Sequence, residues 1–191
     1  MPSLRKITTL KFRSSLWKHE RWIKPSFFRF LGKQANFSQT DLQRRDFKLT
    51  NLQEALFSRS DLTEARFEDA RLEKTDFSES HLRKANLQGA SVRDANFERA
   101  YLAEANLINT DFSGSNFRTA VLDSALVGDA RFSKADFSEA SLCNVDFRQT
   151  DIQGAVFEHA DLRWPAKGAD PESDPARRAA SPPAPARRSH P

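Results

Sequence analysis

Apolar residues in this chain recur at neither helical nor strand spacing; between residues 37 and 162 they recur every five. Stepping by five from Phe37 to Leu162 gives 26 positions, and these are 12 Phe, 11 Leu, 2 Val and 1 Ile. Every Phe of that stretch lies on this lattice. Two residues before each centre the chain is small: 16 Ala, 5 Thr and 3 Ser, with Arg45 and Val145 as exceptions. One residue before the centre, 15 of the 26 are Asp or Asn. The two residues after the centre are mostly polar, and Gly89, Gly114, Gly128 and Gly154 all fall there.

A period of five suits neither regular element. Five steps along an α-helix turn about 500°, so successive centres drift by about 140° and draw no stripe. Five steps along a strand move the side chain to the opposite face. The pattern is satisfied if the chain turns a corner every five residues. The large centre and the small residue before it then both point inward. Asp or Asn at one recurring slot suits such a corner, because their short side chains bond nearby backbone groups.

A second period, of 20, sets the number of corners per coil. Sorted this way, one column is all Phe (Phe37, Phe57, Phe77, Phe97, Phe117, Phe137, Phe157). The next is all Leu (Leu42, Leu62, Leu82, Leu102, Leu122, Leu142, Leu162), and the other two are mixed. Pure columns are expected where residues 20 apart stack directly, as in an in-register sheet. Four fives therefore make one square coil. The run amounts to about 6.5 coils and a stack roughly 31 Å tall at the usual strand spacing.

The fives ANFSQ, TDLQR, ANLQG, ANFER, ADFSE and ADLRW carry the motif A(D/N)LXX. On these residues the chain resembles the pentapeptide-repeat family over 35–164. The resemblance implies an all-β fold: a right-handed quadrilateral β-helix. It implies much less about activity, because the family's activities are diverse. Some of its members resist quinolones by mimicking DNA and binding DNA gyrase, and some dimerise through the C-terminal coil.

Proline divides the chain in three. From residue 26 to 164 there is none. The segment 1–34 is basic and aromatic, 35–164 is the β-helix, and 165–191 is rich in Pro, Ala and Arg. The last segment has no apolar side chain larger than Ala, so it is expected to be disordered. In the first segment, SSLWKHERWIK (Ser14–Lys24) reads as a short capping helix started by Ser14 or Ser15 and stopped by Pro25. SFFRFLG (Ser26–Gly32) reads as an apolar plug over the first coil, which needs a cover. At the other end only Trp164 follows Leu162. That thin cover favours a homodimer contact near Leu162 and Trp164.

Composition narrows the function classes. A mean hydropathy of −0.67 and the lack of a long apolar run argue against a membrane-spanning helix. A single Cys excludes an internal disulfide framework. Charges scattered through the N-terminus argue against a secretory signal peptide. No catalytic, cofactor or metal site is expected. The Asp residues are those the corner geometry asks for, and no His is spaced with another ligand. Cys143 reads as a surface thiol with Asp123 and Arg163 as column neighbours.

The net charge of +4 is a remainder. Segment 1–34 carries +8, the repeats −6 and the tail +2. The Phe-column face is the most acidic at −3 but still holds Arg59, Arg99 and Arg118, which makes a weak DNA mimic. Direct DNA binding is not expected of an acidic body. Arg13, Trp17, Lys18, Arg21, Trp22 and Lys24 suit an anionic membrane surface or a partner, or else a basic cap docked on the acidic repeats. Among outward slots, Tyr101 and Val121 share a column, with Ile108 and Leu126 on the next face. These four form a candidate protein-binding patch. The reading is a non-enzymatic, rigid protein-binding scaffold in the cytoplasm. The alternatives are a gyrase-directed DNA mimic and a membrane-directed or secreted effector.

Overall fold

The computed structural model describes Arg5–Lys6, 35–163 and Pro175–Ala180. Residues 35–163 wind as a four-sided coil, and residues 20 apart pair as parallel bridges, from Asn36↔Leu56 to Ser141↔Asp161. From Phe37 to Leu142 every centre except Val127 donates its N–H to the carbonyl of the residue 19 further on, as in Phe37 to Leu56 and Phe97 to Asn116, both at 2.7 Å. Two residues later a second rung forms, as in Gln39 N–H to Ser58 C=O at 2.9 Å. Between rungs the chain closes a turn, with Ala55 N–H donating to Leu52 C=O at 3.0 Å.

The core is the inside of the tube. Phe37 through Phe147 and nearly all the small-slot Ala side chains are fully or almost fully buried. The Phe column stacks as the period of 20 predicts. Phe97 and Phe117 have ring centroids 4.8 Å apart and planes 3° apart, and Phe57 and Phe77 lie at 5.1 Å and 8°. Opposite walls meet edge-on, as in Phe57 and Phe67 at 5.8 Å and 90°. Offset stacks along a column and T-shaped contacts across it are the two favoured aromatic geometries. Of the two lattice exceptions, Arg45 is half-buried near the first coil, and Val145 is accommodated inside.

Among the described residues the second residue after each centre is left-handed, with Gln149 the exception. Leu49, Lys74, Glu104 and Thr119 have φ of 56°, 57°, 59° and 55°, and Gly114 has 72°. This conformation costs an L-residue about 1–2 kcal/mol. The sharp corner needs it, and the N–H of that residue then forms the second rung.

Two further elements lie outside the repeats. Strand β1 (Arg5–Lys6) pairs in parallel with β2 (Thr40–Asp41), joining Arg5 to Thr40 and Lys6 to Asp41. It covers part of the open edge of the first coil. The expected helix at 14–24 and plug at 26–32 lie outside the described residues. In the tail expected to be disordered, only Pro175–Ala180 is described, and it forms helix α1. Pro at the first helical position followed by Ala and Arg suits a helix start. Ala176 is fully buried in the same hydrophobic cluster as the repeats.

Candidate functional site

The outer wall is built by the slots on either side of each centre. All 15 corner Asp and Asn residues accept a hydrogen bond from the backbone N–H two residues on. These side chains are therefore engaged in holding corners, as the sequence pattern indicated. Among the described residues no group of three His, Cys, Asp or Glu is placed to hold a metal ion. Cys143 is half-buried; its N–H donates to Asp123 Oδ1 at 3.1 Å, and Arg163 Nη2 lies 3.9 Å from its sulfur.

Charged side chains pair mostly between successive coils. Arg59 donates to both carboxylate oxygens of Glu79, at 3.0 and 2.9 Å. Arg118 reaches Asp136 and Glu139, both at 3.3 Å, and Arg83 and Lys84 share Glu104. The Arg59 guanidinium holds the Glu79 carboxyl below its ordinary range, and Arg44 does the same for Glu64. Exposed pairs of this kind contribute little to stability, because water screens them. Their larger effect is on the surface field, because basic groups thread through the acidic faces.

The four patch residues fall into two pairs. Tyr101 and Val121 are bridged across adjacent coils, and Tyr101 is exposed while Val121 is half-covered. Leu126 is 56% exposed and, with half-buried Ile108, lines a cleft of about 450 Å³ around the next corner. Ser124, Ala125, Val127, Gly128, Asn144, Asp146 and Gln149 complete its lining. Tyr101 and Val121 are not part of it. Leu49 and Val156 are also exposed, at 79% and 45%. The basic set Arg13, Trp17, Lys18, Arg21, Trp22 and Lys24 lies outside the described residues, as does Trp164. Leu162 is half-buried.

A ladder of stacked fives with this corner chemistry defines a right-handed quadrilateral β-helix. The chain belongs to the pentapeptide-repeat family: the profile of Pentapeptide repeats matches eight copies over residues 33–69, 46–79, 60–99, 80–118, 100–125 and 129–164. A comparison with curated protein sequences finds no match. Among solved structures the chain is similar to trypsin-treated QnrB1, a plasmid-mediated fluoroquinolone resistance protein, at 22% identity and TM-score 0.44, covering 64% of this chain and 79% of that one. It is also similar to HetL of Nostoc sp. strain PCC 7120, a pentapeptide repeat protein involved in heterocyst differentiation regulation, at 23% identity and TM-score 0.32, covering 68% and 70%. Rfr23 of Cyanothece 51142 follows at 20% identity and TM-score 0.32, covering 64% and 90%.

Proposed function

We propose that this protein is a non-enzymatic scaffold that offers a rigid wall to a protein partner in the cytoplasm. The observation that carries this reading is the contrast between the two sides of that wall. The corner carboxylates and amides are engaged with backbone, whereas Tyr101 and Leu126 stand exposed on a surface that the stack holds still. Large aromatic and aliphatic side chains on a pre-organised face suit association, because little is lost in ordering them.

The DNA-mimic alternative has less in its favour. Arg59 and Arg118 sit among the acids of the most acidic face and pair with them. Unchanged gyrase supercoiling in the presence of the purified protein discards that alternative. Among the described residues no helix is long and apolar enough to cross a membrane. A membrane-surface role rests on 1–34, and equal flotation of the full chain and of the chain lacking 1–34 on anionic liposomes discards it. A homodimer at the last coil is lost if sedimentation shows only monomer at high concentration.

The scaffold reading is tested by affinity capture from the native host with the wild type and with a Tyr101→Glu, Val121→Glu double variant. The expected result is a specific partner lost on substitution while the melting temperature holds. Identical capture by both proteins rejects this face as the binding surface.

A further inference from the structure

One face of the coil carries a local defect, and polar side chains gather at it. Val127 makes no rung to the carbonyl 19 residues on, and the bridge expected between Leu126 and Asp146 is missing. The flanking rungs locate the reason. Ser124 N–H donates to Cys143 C=O at 2.8 Å, and Asp129 N–H donates to Gln149 C=O at 3.0 Å. From 124 to 129 one strand takes five steps, while from 143 to 149 the next takes six. The extra residue makes a β-bulge, a feature that re-aims side chains. It is taken back at the corner, where Asp151 N–H meets Ala130 C=O at 3.0 Å in the usual register. Thr75 and Thr110, in the slot that Val145 holds, send Oγ1 to the Leu52 and Leu87 carbonyls, at 3.1 and 2.7 Å. Val145 has no hydroxyl for that bond, so the strand that follows it lacks this anchor.

The bulge changes Gln149. It alone among the described residues of its slot is not left-handed, and with Asn144 and Asp146 it lines the cleft of about 450 Å³. Clefts of about 300–1,000 Å³ are the size that takes small ligands. The Gln149 side-chain amide has no hydrogen-bond partner among the described residues. The Asn144 amide reaches the Ser124 hydroxyl at a long 3.5 Å. An amide offers donors and an acceptor from one group.

Asp146 is the one charged side chain in the lining. Arg148 neutralises it, with Nε donating to Oδ1 at 2.8 Å and Nη2 pairing with Oδ2. The lining therefore favours neither a cation nor an anion. Beside these polar groups stand exposed Leu126 and half-buried Ile108. Gly128 leaves room next to them: a Cβ there would touch only Ile108 Cγ1, at 4.0 Å.

A ligand that suits this lining is uncharged, both donates and accepts hydrogen bonds, and has an apolar face. A sugar ring has all three properties, with hydroxyls around its rim and C–H groups on its flat sides. We propose that the cleft binds one ring of a neutral sugar. Its C–H face lies on Leu126 and Ile108 over Gly128. Its hydroxyls replace water at the Gln149 and Asn144 amides and donate to the Asp146 carboxylate. Tyr101 and Val121 are not part of this site, so the inference goes beyond the scaffold reading and does not depend on it.

The test titrates the full chain, labelled with nitrogen-15, with the methyl glycosides of glucose, galactose, mannose and N-acetylglucosamine. At least one is expected to give saturable amide shifts at Gly128, Asn144 and Gln149, with a Kd of about 1 mM. N-methylacetamide, acetate and tetramethylammonium serve as the neutral amide, the anion and the cation, and are expected not to saturate. Gln149→Ala removes the free amide and is expected to weaken binding about fivefold. Gly128→Leu fills the room beside Ile108 without backbone strain and is expected to weaken it about tenfold. Melting temperatures check that both variants fold. Absence of saturable shifts with all four glycosides, or shifts confined to other residues, overturns the site. So does N-methylacetamide or either ion binding as tightly, or unchanged affinity in both variants.

Discussion

Leu126 and Asp146 stand 20 residues apart in one column and are not bridged, although Asn106 and Leu126, one coil earlier, are. The break follows Val145 by one residue. Replacing Val145 with Thr supplies the hydroxyl that Thr75 and Thr110 use. Val145→Thr is expected to restore the rung and raise stability by about 1 kcal/mol. Urea unfolding checks the midpoint, and slowed hydrogen exchange at Val127 and Asp146 checks the site. An unchanged midpoint with fast exchange at both amides would remove Val145 as the cause.

Phe97 is held between Phe77 at 5.0 Å and Phe117 at 4.8 Å, with Phe112 edge-on at 5.7 Å. In a narrow tube no side chain from elsewhere can fill the space it leaves. Phe97→Ala is expected to cost about 3–5 kcal/mol. Chemical denaturation reads this as a large fall in midpoint, and a loss below 1 kcal/mol (about a third of the least expected) contradicts the packing account.

Thr119 is β-branched and left-handed, with φ of 55°. Glycine suits that conformation and loses entropy on folding, and the first effect is the larger for a β-branched residue. Thr119→Gly is expected to stabilise the protein by about 0.5 kcal/mol. A lower melting temperature would show that the Thr119 side chain contributes more than its backbone strain costs.

Several carboxyls are held below their ordinary values: Glu79 by the hydrogen bond and charge of Arg59, Glu64 by those of Arg44, and Asp151 by Ser133 Oγ and the Gln153 N–H. A lowered folded-state value means that these groups favour the fold once ionised. Their contribution is full above the ordinary carboxylate range, near pH 4, and is lost as pH falls through their lowered values. Thermal melts are expected to be flat from pH 7 to about 5 and to fall below about 4. Higher stability at pH 3 than at pH 7 would reverse the sign and contradict these pairings.

The core and its columns were legible in the sequence because one residue type fills each position of a strict period. Phe37 to Phe157 could stack only if residues 20 apart were neighbours. The corner role of Asn96 and its equivalents followed from their slot. The left-handed slot had a signal in Gly89, Gly114 and Gly154, but Leu49 and Thr119 in the same place hide it. The broken rung was not readable: Gln149 is a polar residue like most of its equivalents in that slot, yet it alone among those described is not left-handed. Strand β1 is two residues long and carries no five-residue pattern. Helix α1 buries Ala176, and a search for large apolar residues passes over it.

The most direct test of the account is hydrogen–deuterium exchange of the full chain, free and with its captured partner. The prediction is that ladder amides of 57–122 are already protected in the free protein, and that binding adds protection along the wall that carries Tyr101, Ile108, Val121 and Leu126. Protection appearing instead throughout the ladder on binding, from a free state that exchanges freely, would mean that the partner folds the coil and that no rigid wall exists beforehand.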